Sequence, residues 1–309
     1  MAAILLFGAA ATESLVPAIK CSRRSLGLAP ALALLPARDA AAASFGMMSA
    51  RLDAPLLQEP DISPTVDATA SLPAWLIGRW QCTQTLQAFS TPLGLRFIGA
   101  PGQPIDEAEA TAAQTRAQIG KPVTLELRFK ADGKGGAVED RAFNAQSRLD
   151  AFAGRKVVRS AEACEAEASR IRDGRSASDV RARRLIACTI VDFKGGGATQ
   201  KVLVNAFSVA RRPLDGGASD GGERAVASEV TRSIFARTLM PGDTRSFPPI
   251  TVDSETILEV QGTGEASPME VTGRLRLVDY LQPLDAMYFE AARRSVAVSD
   301  YTIHLSRLP

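Results

Sequence analysis

Val123, Leu125, Leu127 and Phe129 interleave with Thr124, Glu126, Arg128 and Lys130. A period of two puts every second side chain on one face of a strand, and no helix can gather such a set on one side. The rhythm returns along the chain. Strands over 186–191 and 201–207 flank Gly195-Gly196-Gly197, the layout of a hairpin. A Gly-rich stretch, 215–222, marks the next turn and leads into a strand over 225–239. Further strands are expected at 250–262, 269–281 and 294–307, and helical patterns at about 104–118, 144–153 and 284–293, the last just after Pro283. Eight to ten strands joined mostly by Gly-rich turns predict a mostly β fold with short helices. An antiparallel meander of this kind closes into a barrel or wraps into a sandwich. Closure removes sheet edges, and about eight strands leave an interior that holds one small ligand.

The N-terminus has a different character. Residues 1–25 hold a single acid, Glu13, among small and hydroxyl side chains. Ser22-Arg23-Arg24-Ser25 then precedes an apolar run from Leu26 to Leu35, and Ala40-Ala41-Ala42-Ala43 follows. The run is too short for a bilayer, which needs roughly twenty residues. An arginine pair, a moderate apolar run and a small-residue cleavage site are the layout of a twin-arginine signal. Some twenty residues of transit-like composition before the arginines predict a bipartite plastid signal over 1–43 with the thylakoid lumen as destination. Residues 44–71, rich in Pro, Ala, Asp and Ser, are expected to form a flexible lead-in to a barrel domain over 72–309. The chain's net charge of +2 sits in 1–43, where Lys20, Arg23, Arg24 and Arg38 face Glu13 and Asp39. A balanced remainder offers no electrostatic footprint for nucleic acid or anionic lipid. No later run reaches the roughly eighteen apolar residues of a membrane helix, so an integral membrane protein is not expected.

Residues able to carry chemistry are few. The one histidine, His304, is expected opposite the face that Tyr301, Ile303, Leu305 and Arg307 share. A zinc site of the His type is excluded, and a Ser-His-Asp triad would have to use this ring. The four cysteines, at 21, 82, 164 and 188, have no C-x-x-C spacing, so no metal or redox motif follows. Two arrangements remain for them. Cys164 and Cys188 face each other if 155–166 pairs with 183–194; otherwise Cys82 and Cys188 are buried thiols. Asp140, Arg141 and Asn144 concentrate polar groups at a strand-to-helix junction. They form either the rim of a barrel mouth or a helix cap on Asn144 with a local charge network. Ser228, Glu229 and Gln261 lie inside expected strands, where they either orient a ligand or face solvent. Tyr288 and Phe289 are expected to pack the 284–293 helix on the barrel. The Gly-Lys-Gly-Gly turn at 133–136 lacks the spacing of a phosphate loop, and the arginines of 170–184 have no interleaved aromatics. No catalytic set, cofactor or metal is expected.

The first strand opens Gly78-Arg79-Trp80, which resembles the G-x-W signature of the lipocalin-like barrels, the calycin superfamily. That resemblance implies an antiparallel barrel in which Trp80 closes one end and a last-strand arginine, here Arg307, packs on its face. A wider resemblance over about 73–307 is to an uncharacterised domain family of cyanobacteria and plastids. It is carried by Pro73–Trp80, Ile119–Val123, Val138–Asn144, Ser228–Phe235 and Tyr280–Phe289. The chain departs from it in the insert at 215–222 and the stretch at 170–184. It implies location and fold, and no catalytic residue comes with it. Together these readings predict a non-enzymatic thylakoid-lumen barrel holding a small hydrophobic ligand such as a pigment, quinone or lipid. The alternative is an accessory protein that joins a thylakoid membrane complex.

Overall fold

A computed structural model describes residues 37–60, 70–98, 104–164, 187–195, 197–214, 222–237, 249–262 and 269–309. The arginine pair Arg23-Arg24, the apolar run after it, Cys21 and the 170–184 stretch lie outside these residues, as does all of the 215–222 insert except Gly222.

Among the described residues, ten antiparallel strands form one sheet, curled into a half-barrel. In chain order they are β1 (Gly78–Ser90), β2 (Pro122–Ala131), β3 (Ala137–Glu139), β4 (Val158–Ala163), β5 (Ala187–Phe193), β6 (Ala198–Pro213), β7 (Glu223–Arg237), β8 (Ile250–Gly262), β9 (Glu270–Tyr280) and β10 (Ala297–Arg307). Helices are α1 (Ala37–Ala50), α2 (Ile105–Arg116), α3 (Arg141–Ala153) and the single turn α4 (Tyr288–Ala291). The sheet order is β3-β2-β1-β10-β9-β8-β7-β6-β5-β4, so β1 and β10 lie side by side and the edges are β3 and β4. The mostly β expectation holds, but the hydrogen-bonded ring does not close between β3 and β4. The connection between these two strands is α3, and the helix packs against β2, β4 and β5.

Alternation sorts the side chains onto two faces. Trp80, Leu125, Leu127, Ala225, Ala227, Val260, Val271, Ile303 and Leu305 share one buried cluster. β2 and β7 stand five steps apart in the sheet, about 24 Å if the sheet were flat. Their side chains can meet only on the inside of a curl, so this is the concave face.

The convex face is covered from the N-terminal side. Phe45 and Leu52 pack on Ala210, Val226 and Ile257, while Leu57 packs on Val278, Tyr280 and Val298. Residues 44–60 are therefore bound to the sheet along their length and do not form a flexible lead-in. Their path ends in a bridge between Gln58 and Arg294. Ionic contacts secure the strap. Glu255, fully buried, pairs with Arg51 and accepts from Ser228 Oγ at 2.8 Å and Tyr280 Oη at 2.9 Å. Arg274 joins Asp53 at 2.8 Å to Glu259 at 3.1 Å. Arg276 pairs with Asp300 at 2.6 Å and donates to the Ala54 carbonyl at 2.7 Å.

Of the two arrangements open to the cysteines, the structure has the disulfide. β4 pairs with β5, and Cys164 is bonded to Cys188, with their Cα atoms 5.0 Å apart. Cys82 is buried and free. The bridge closes a loop across 24 positions, which in chain-entropy terms stabilises by about 3 kcal/mol. Reducing it, or making Cys188→Ser, is expected to lower stability by about 2–4 kcal/mol. Thermal unfolding with and without reductant measures this, and an unchanged Tm would mean that α3 alone holds the β4 edge.

Candidate functional site

The concave face has a closed end and a charged wall. Trp80 is fully buried at the closed end, and its Nε1 donates to the Leu76 carbonyl at 2.7 Å. Arg307 lies opposite Trp80 in the β1–β10 register, its guanidinium 4.3 Å from the ring centre. It donates to the carbonyls of Ile77 at 2.8 Å and Trp75 at 2.6 Å. A cation over an indole contributes about 0.5–2 kcal/mol. Gly78 makes the approach possible: its φ is +129°, and a Cβ there would stand 2.7 Å from Arg307 Nη1.

Above this floor, α3 brings charge to the concave side. Arg141 Nη2 meets Glu229 Oε2 on β7 at 2.6 Å, and Arg148 Nη2 meets Glu139 Oε1 at 2.6 Å. Glu139 Oε2 is also 3.9 Å from Arg141 Nη1, so the four groups form one neutral network. Burial alone would lower the Arg141 pKa, but the Glu229 carboxylate outweighs that and raises it. Burial would likewise push the Glu139 carboxyl up, yet Arg148, Arg141 and the Asn144 amide hold it below its ordinary range. Deeper on the same face, burial pushes the Cys82 thiol up to about 11.

The residues expected to bind a ligand divide. Arg141 and Glu229 are brought together across the curl. Ser228, next to Glu229, points to the convex face and is sealed beneath the strap on Glu255. Gln261 shares that face, opposite Arg224, and is exposed. Strand alternation alone forbids Ser228 and Glu229 from lining one pocket. Asp140 pairs with Lys130 at 2.8 Å.

Asn144 is not a cap, because α3 begins three residues earlier. It is fully buried. Its Oδ1 accepts from Arg128 N at 2.8 Å, and its Nδ2 donates to Arg128 O at 3.1 Å and Glu139 Oε1 at 2.9 Å. Thus it closes the part of the β2 edge that β3 leaves open. Arg148, absent from the sequence-based set, was signalled only by its position two helical turns after Arg141, on the same face.

Two other features bear on function. A cavity of about 430 Å³ opens where the β2–β3 turn meets β6, lined by Ser71, Lys134, Gly135, Gly136, Val209 and Arg211. The expected 284–293 helix is reduced to α4. Phe289, 85% exposed, and Leu284, 95% exposed, project from it instead of packing on the sheet. The left-handed backbone of Ala292 and Arg293 ends the turn. Among the described residues, no His, Cys, Asp and Glu group is arranged to hold a metal, and no helix is long and apolar enough to cross a membrane.

Residues 66–172 match a family model described as a domain of unknown function, DUF6816. No curated protein and no solved structure shows significant similarity to the chain. The matched stretch carries β1, β2, β3 and α3, and so holds Trp80, Glu139, Arg141, Asn144 and Arg148 but neither Glu229 nor Arg307.

Asn144→Ala would leave the backbone N–H of Arg128 unpaired and take one donor from the Glu139 carboxylate, while the Arg128 carbonyl keeps the Asp140 N–H at 2.9 Å. A loss of about 2–3 kcal/mol is expected, read by urea unfolding. A loss under about 0.5 kcal/mol, within the range of neutral surface changes, would mean that water replaces the amide.

Proposed function

We propose that the concave face binds a small, largely hydrophobic ligand, of the class of a pigment, a quinone or a lipid. The protein acts there as a binder and not as an enzyme. The observation that carries this reading is apolar surface left partly uncovered where a closed core would bury it. Val123, Phe207, Val209, Leu258 and Leu275 pack beside the buried cluster yet stay accessible on the concave side. An apolar floor with a few placed polar groups is the ordinary make-up of a ligand site. The Trp80–Arg307 contact supports the lipocalin-like reading of Gly78-x-Trp80. The charged groups on this face pair with one another, which suits positioning better than proton transfer. The twin-arginine layout before residue 43 supports a place in the thylakoid lumen, and a disulfide suits an oxidising compartment.

Both tryptophans of the chain, Trp75 and Trp80, lie at the closed end. A decyl-substituted benzoquinone bound on the apolar floor should quench their emission saturably. Phe207→Glu, which puts a charge on that floor, should abolish saturation. Linear quenching of equal slope in both proteins would sink the reading.

A second reading, an accessory protein of a thylakoid membrane complex, is favoured by one observation. Leu284 and Phe289 stand out almost fully solvated, with Tyr288 edge-on to Phe289 at 5.6 Å between ring centres. A rigid apolar tip of this kind fits a partner's pocket. The double substitution Leu284→Ser, Phe289→Ser should release the chain from a high-mass native-gel band. Free monomeric migration of the unaltered chain would dismiss this reading.

A further inference from the structure

We propose that the concave face selects ligands without net charge, an apolar body carrying a hydroxyl or carbonyl head, and rejects carboxylates of the same length. The proposal rests on the binding reading above.

Its basis is the pairing on the concave wall. Arg141 with Glu229 and Arg148 with Glu139 are each joined at 2.6 Å, with side chains between 16% and 38% exposed. Nearer the closed end, Arg211 and Glu223 stand 4.0 Å apart, and Arg307 turns its guanidinium onto backbone carbonyls. A ligand carboxylate that took Arg141 or Arg148 would strand Glu229 or Glu139 in a partly desolvated wall, and a removed partner is what makes such pairs costly. An ammonium head would strand an arginine in the same way.

The remaining polar groups on this face are suited to uncharged partners. The Cys82 thiol is held protonated by burial. Asp279 already accepts from Ser254 Oγ at 2.6 Å. Gln84, between Val123 and Ile303 in the strand register, offers an amide that donates and accepts without charge.

The test compares 1-dodecanol with dodecanoate on the full chain, at about pH 8 where the acid is ionised. Displacement of an environment-sensitive dye reads affinity. Dodecanol should bind at least ~10-fold more tightly. Glu229→Gln leaves Arg141 with spare positive charge, so the alcohol-to-acid ratio should fall by about 10-fold or invert. Arg141→Gln leaves Glu229 uncompensated and should widen the ratio. Because the two variants are expected to move the ratio in opposite directions, a shared loss of stability cannot imitate the result. Equal affinity for acid and alcohol in the unaltered protein, or a ratio that neither variant moves, overturns the proposal. Binding of neither probe overturns the binding reading beneath it, and the selectivity with it.

Discussion

Among the described residues the ten strands curl without closing, and the placement of α3 answers part of the backbone left unpaired on each side of the gap. The helix follows β3 directly and precedes β4 directly, so the chain lays it in the gap that strand pairing leaves. Its side chains take over the missing ladder. Asn144 and Ser147 meet the backbone of Arg128 and Glu126 on one edge. Asp150 accepts from the amides of Val157 and Val158 on the other, at 2.7 and 2.9 Å. Open edges invite pairing with other chains; α3 covers part of both sides of the gap, and Leu72 pairs with Ala137 on the outer edge of β3. The same position aims Arg141 and Arg148 at the concave side, so edge protection and the charged wall have one cause.

The strands were largely legible. Alternation placed β2, β7, β8, β9 and β10 to within a few residues, because each has a polar and an apolar face, whereas β6 was expected only over 201–207 and runs from Ala198 to Pro213. The β4–β5 pairing that joins Cys164 to Cys188 was one of two arrangements the sequence left open, and the structure decides it. Closure was not legible. Whether ten strands meet depends on the curl of the sheet and on what sits between β3 and β4, and neither has a sequence period. The strap over 44–60 was missed for a related reason. Phe45, Met48 and Leu52 do share the i, i+3, i+7 spacing of a helix face, but so short a run among Ala, Ser and Pro reads as a lead-in, and Leu57 beyond it follows no period. The signal lay in its partners instead: Asp253, Glu255 and Glu259 recur on one face of β8, and acids at that period inside a strand call for cations from elsewhere.

The site was legible by halves. Arg141 and Glu229 were both singled out, but the contact between them joins positions 88 residues apart across the curl, and no local pattern reports it. Ser228 and Gln261 were assigned with Glu229 although the period of two separates them from it. The alternation that identified the strands would have settled their faces as well.

The two faces of the sheet are covered unequally, and that inequality bears on function. The convex face takes the strap, α1 and a ladder of arginine–carboxylate pairs, until even Glu255 has no contact with solvent. The concave cluster is closed by the curl itself, with Ala151 and Phe152 of α3 packed on it, and Val123, Phe207, Val209, Leu258 and Leu275 beside it are only partly buried. On the proposed binding reading, this partly buried apolar floor is what a ligand would cover, and the neutral charge network beside it restricts what that ligand can be.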